Sequence, residues 1–199
     1  MTVSYPDAEA IRSWRYEVHG LYAAVRAAES PQAGHALWVA RRAELFATHP
    51  ASPRQGSQVL RHAPYDPAFR FVLPVGAAKP TRFEARTGTD GSVPYERVGR
   101  LELPGIGNLD VWWLASYGGG FFVPLRDTTA GRTSYGGGRY LVDTVKGADL
   151  GRGEDARWVV DLNFAYNPSC VYDPAWACPL PPPGNQLDAA VPVGELLPT

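Results

Sequence analysis

Six residues carry side chains suited to holding a small molecule: Arg139, Tyr140, Asp161, Asn163, Tyr166 and Asn167. They fall in two short segments, RYLVD (139–143) and VVDLNFAYN (159–167). Arginine offers a planar fork of donors to a carboxylate, phosphate or carbonyl. Asp and Asn suit hydroxyls and amides, and the tyrosines supply aromatic walls. Asp161 and Asn163 stand two apart, so on a strand they share one face, while Val160, Leu162 and Phe164 take the other. If RYLVD pairs with that strand, Arg139 reaches Asp161. The set therefore fits a pocket for a polar, hydroxyl-bearing or anionic ligand. The same groups also suit an architectural role, tying a Pro-rich tail to the sheet through loop backbone groups.

Other chemistries are thinly represented. Tyr117–Gly120 and Tyr135–Arg139 are glycine-rich, but neither has the Gly-Lys-Ser/Thr of a phosphate loop, and strands follow them where a dinucleotide fingerprint needs a helix. Tight turns are the expectation there. Cys170 and Cys178 are too far apart for Cys-x-x-Cys zinc or redox spacing, and reduced, buried thiols are expected. The four histidines, His19, His35, His49 and His62, all lie in the first third of the chain. No metal and no cofactor is therefore expected. A thiol nucleophile would need His49 or His62 brought to it by the fold. His49-Pro50 and Ser52-Pro53 lack a nucleophile elbow and read as a helix end. Asp143, Asp149, Glu154 and Asp155 read as solvated carboxylates. A hydrolytic enzyme using Asp161 or a Cys/His pair is the alternative function. A structural or interaction module, marked by an exposed Trp112 or Trp113, is a third.

A net charge of −1 argues against a nucleic-acid partner. No run approaches the ~20 apolar residues of a membrane span, so no membrane partner is expected. Met1–Pro6 lacks a signal pattern, which makes the cytoplasm the expected location. A small-molecule ligand is the partner the side chains suit, and the sequence specifies no oligomeric state.

The elements that must position these groups follow from periodicity. Ile11, Trp14, Val18, Leu21, Tyr22 and Val25 recur at three and four, predicting a helix capped by Asp7, or less well by Ser4, and ending near Glu29. Ser30-Pro31 starts a second helix running to about Thr48. Beyond a loop the period becomes two. FRFVLPV, TRFEART with a turn at 88–91, VPYERVGRLEL with a bulge at Gly99, LDVWWLAS, FFVPLRD, RYLVD and RWVVDLN give about seven antiparallel strands. The predicted fold is α+β: one domain over 1–199. A helical hairpin (1–50) packs on an antiparallel β-sandwich or partly closed barrel (65–165), followed by an irregular Pro-rich wrap (166–199).

HPASPR, FFVPLRDTTAGRTSYGGGRYL, VVDLNFAYNPSC and CPLPPPGNQL with a terminal VGE resemble the bacterial domain-of-unknown-function (DUF) family 1684, over about Trp14 to Glu195. The resemblance marks Arg126-Asp127, Thr133, Tyr135, Gly138-Arg139-Tyr140, Asp161, Asn163, Tyr166-Asn167-Pro168, Cys170, Cys178-Pro179 and Asn185 as motif positions without assigned roles. Gly184 departs from it, an acidic residue being expected there.

Overall fold

The computed structural model describes residues 4–87, 91–176 and 178–199, so most of the turn expected at 88–91 lies outside the described residues. Two helices lead. α1 spans Tyr5–Arg26 and α2 spans Pro31–Thr48. Ser4, not Asp7, is the N-cap of α1. Its hydroxyl accepts from the Asp7 amide, and Asp7 sits in the first turn where a carboxylate meets the positive end of the helix. Ser30 caps α2 as expected, accepting from the Ala33 amide at 3.1 Å.

Among the described residues seven strands follow: β1 (Arg70–Leu73), β2 (Arg82–Thr87), β3 (Gly91–Leu103), β4 (Gly107–Leu114), β5 (Phe121–Leu125), β6 (Arg139–Asp143) and β7 (Trp158–Asp161). β2 to β6 form a five-stranded antiparallel meander. β7 does not join it beside β6; it pairs with β1 in a two-stranded sheet. The architecture is α+β, and the larger sheet does not close into a barrel. The bulge expected in β3 falls between Arg97 and Gly99. A Cβ on Gly99 would stand 2.3 Å from Val75, and its absence admits the 75–76 segment, whose Gly76 exchanges backbone hydrogen bonds with Arg100.

Two cores result. Leu101, Leu109, Val111, Val123, Leu125, Leu141, Val160 and Leu162 pack under the tail residues Leu187, Val191 and Val193. On the other face of the meander, Leu21, Tyr22, Val25, Trp38 and Leu45 of the helical hairpin meet Tyr95, Trp112, Phe122, Tyr140 and Tyr166. Strand alternation explains the consecutive tryptophans. Trp112 is buried, and Trp113 on the opposite face is 36% exposed. No helix among the described residues is long and apolar enough to cross a membrane.

Candidate functional site

The predicted residues do not converge on one cavity. Arg139 is 1% exposed. Its guanidinium donates to the carbonyls of Val191 (2.8 Å), Glu195 (3.2 Å) and Val193, and pairs with Asp127 at 3.2 Å. Its Nε has no hydrogen-bond partner among the described residues. The contact with Asp161 imagined from sequence does not form, because β6 and β7 belong to different sheets. Asp127 also accepts from the Val191 amide at 2.7 Å, so the pair clamps both edges of one tail segment. The Tyr140 hydroxyl donates to the Pro179 carbonyl at 2.7 Å. Asn185 is equally committed. It accepts from the Trp112 indole at 2.7 Å and donates to the carbonyls of Asp110 and Pro124.

At the centre of this tail anchorage stands Glu195, fully buried. It receives Arg42 from α2, the Asn167 amide at 2.7 Å and the Tyr172 hydroxyl at 3.2 Å. His62 Nε2 lies 3.4 Å away but is not aligned for a hydrogen bond. Burial by itself would raise the Glu195 pKa. The charge and hydrogen bonds of the Arg42 guanidinium outweigh it and hold the carboxyl at about 2. Arg42 in turn stacks over Phe46 and Tyr166. Sequence reasoning had no role for either partner. The available signal was an isolated acid in the apolar run VPVGELL.

Asp161 and Asn163 sit elsewhere. β7 ends at Asp161, and a single helical turn, Leu162–Phe164, follows, so the expected strand alternation stops there. Asp161 caps that turn, accepting from the Asn163 amide at 3.1 Å and side chain at 2.7 Å. Asn163 also bonds both backbone groups of Asp66 at 2.8 Å. The other Asp161 oxygen accepts from Tyr65 at 3.1 Å and lies 3.8 Å from Arg70 Nε. Burial raises the Asp161 pKa against these bonds. It raises that of Tyr65 too, to about 12, reinforced by the Asp161 charge.

Asp161 lines a cleft of about 350 Å3 between the α1–α2 turn and the smaller sheet. Val25, Leu150, Val159 and Phe164 form its apolar wall, with Arg26, Arg70 and Arg152 around it. Arg152 is exposed and makes no ion pair or side-chain hydrogen bond among the described residues. Tyr140, Tyr166 and Asn167 instead border a crevice of only about 50 Å3 beside Arg42.

The remaining candidates resolve simply. Gly118, Gly119 and Gly138 take positive φ in tight turns, and a Cβ on Gly138 would stand 2.6 Å from the Leu125 carbonyl. Ser52 donates to the Phe46 carbonyl and finishes α2. Asp143, expected to be solvated, is buried at the end of β6, where its carboxylate accepts from the Lys146 amide. Among the described residues, no group of three or more His, Cys, Asp and Glu side chains is placed to hold a metal ion. Neither thiol has a histidine partner among the described residues; the two cysteines lie against each other.

The fold is thus an α+β scaffold whose irregular tail is bolted to the meander by buried Arg139 and Asn185 and to α2 by buried Glu195. Residues 57–196 match the model of the family described as "Protein of unknown function (DUF1684)", and the chain belongs to that family. It is similar to the solution NMR structure of the uncharacterized protein from gene locus rrnAC0354 of Haloarcula marismortui. The two share 32% identity and a TM-score of 0.54, over 79% of this chain and 89% of that one. No curated protein matches. The Gly184 departure has a local counterpart. A Cβ there would lie 2.0 Å from the carboxylate of Asp110, which Arg97 and Arg100 already bind at 2.8 and 2.7 Å.

Proposed function

We propose that this protein binds a small anionic molecule bearing a hydroxyl group in the cleft floored by Asp161. One observation carries the reading: three arginines ring a concave, half-apolar cleft, and one of them, Arg152, is unpaired among the described residues. The volume of about 350 Å3 falls in the ~300–1,000 Å3 range of small-ligand pockets. Arg70 and Arg152 take the anionic group, and Asp161 takes the hydroxyl. Arg26 is held by the Asp149 carbonyl at 2.6 Å and shapes the wall. Tyr140, Tyr166 and Asn167, beside the narrower crevice, and Arg139 and Asn163, spent on backbone groups, support the scaffold in this reading.

Catalysis is less well supported. A general base needs a proton acceptor poised near neutrality. The hydroxyl facing Asp161 is a tyrosine pushed up to about 12, which makes it a donor to the carboxylate.

A thermal-shift screen of small carboxylates and phosphate esters tests the proposal. A ligand at a hundredfold excess over Kd stabilises by about 2.7 kcal/mol, or roughly 5–10 °C in Tm for a chain of this length. The shift should disappear in Arg70→Ala and in Arg152→Ala. Stabilisation that survives both substitutions places the ligand elsewhere.

A further inference from the structure

We infer that Cys170 and Cys178 form a redox-active dithiol that a small hydroperoxide closes to a disulfide. Cys170 lies in the single helical turn Ser169–Val171, and the chain reverses through 173–176 to bring Cys178 back beside it. The Cys170 amide donates to Cys178 Sγ at 3.4 Å, which sets the two side chains beside each other. Tyr135 Oη stands 3.9 Å from Cys170 Sγ. Both cysteines are free and only partly buried, so a small oxidant has access.

The two sulfurs are not equivalent. Cys178 Sγ accepts from the Cys170 amide, packs beside the cluster that holds Tyr140 and is favoured as thiolate by the Lys146 charge. The adjoining Cys170 group, its amide included, favours the Cys178 thiolate, and the Cys170 thiol is correspondingly harder to ionise. Cys178 is therefore the attacking sulfur. Its thiolate displaces at a peroxide oxygen: an S–O bond forms, the O–O bond breaks, and the alkoxide or hydroxide leaves and takes a proton. Cys170 then attacks the sulfenic sulfur. The S–S bond forms, the S–O bond breaks, and hydroxide leaves as water with the Cys170 proton. The two thiols supply both electrons, and the sum is dithiol plus hydroperoxide to disulfide, alcohol and water.

The test uses the full chain, fully reduced, freed of reductant and treated with one equivalent of hydrogen peroxide. Free thiols should fall from two to none. Intact mass should drop by two hydrogen atoms with no dimer, and peptide mapping should join 170 to 178 within one chain. In Cys170→Ser, Cys178 should stop as a sulfenic acid captured by dimedone. In Cys178→Ser, the remaining thiol should react at least about tenfold more slowly. Surviving thiols, oxygen uptake without loss of hydrogen, or linkage between chains overturns the inference. The wild-type mass reading depends on no variant, so a serine protein that fails to fold leaves the test intact.

Discussion

Replacing Glu195 by Gln removes the charge at the centre of the tail anchorage while keeping the shape of the side chain. In the folded protein this carboxyl titrates at about 2, against an ordinary 4.5. That fall corresponds to about 3 kcal/mol of folding free energy. Its sign follows from the direction. A carboxyl depressed by folding contributes fully above its unfolded pKa, and the contribution drains away as pH falls from about 4.5 towards 2. Glu195→Gln also strands Arg42, whose side chain is only 11% exposed, and breaking a pair with a fully buried partner costs about 3–5 kcal/mol. Urea unfolding of both proteins at several pH values is the assay. The wild type should be more stable by about 3–5 kcal/mol at neutral pH, and most of that gap should close by about pH 2. Asp143 and Asp161, whose pKa values burial raises, act in the opposite direction. They are common to both proteins and cancel in the difference. A gap that is flat with pH, or under about 1 kcal/mol at neutrality, refutes the argument that Glu195 is ionised and paired in the fold.

Other outcomes follow from the same geometry. Arg139→Leu should destabilise by about 3–5 kcal/mol, because it removes the countercharge of Asp127 and the donor to the tail carbonyls in the interior; hydrogen exchange should show the loss first at residues 191–196. Gly184→Glu should lower stability by about 2–4 kcal/mol, measured as Tm, since the new side chain enters the space of the Asp110 carboxylate with the same charge. Loss of ligand-induced stabilisation in Arg70→Ala and Arg152→Ala, and intrachain closure of the Cys170–Cys178 dithiol, complete the set.

Local signals were legible in the chain wherever the physics is local. The three-and-four spacing from Ile11 to Val25 gives α1, Ser30-Pro31 starts α2, and the strands among the described residues fall in the segments read as strands, although β7 stops at Asp161, short of the expected Asn163. Gly99 marks the bulge, and Trp112 and Trp113 face opposite ways because successive strand residues must. The family resemblance was legible too, because its C-terminal motif is long. Partner choice was not legible. Alternation says which face a residue takes, not which strand lies beside it, so β7 went to β1 rather than β6 and Arg139 lost Asp161. Arg139 instead meets Val191, 52 positions on, and Arg42 meets Glu195, 153 positions on. A spacing of seven intervening residues conceals the Cys170–Cys178 contact until a turn folds them together. The sequence by itself determined the elements and their apolar faces, since those depend on bonds and sterics within a few residues. Only the tertiary structure decided which buried charges meet, because that depends on chain closure over long separations and on the penalty for leaving any of them unpaired.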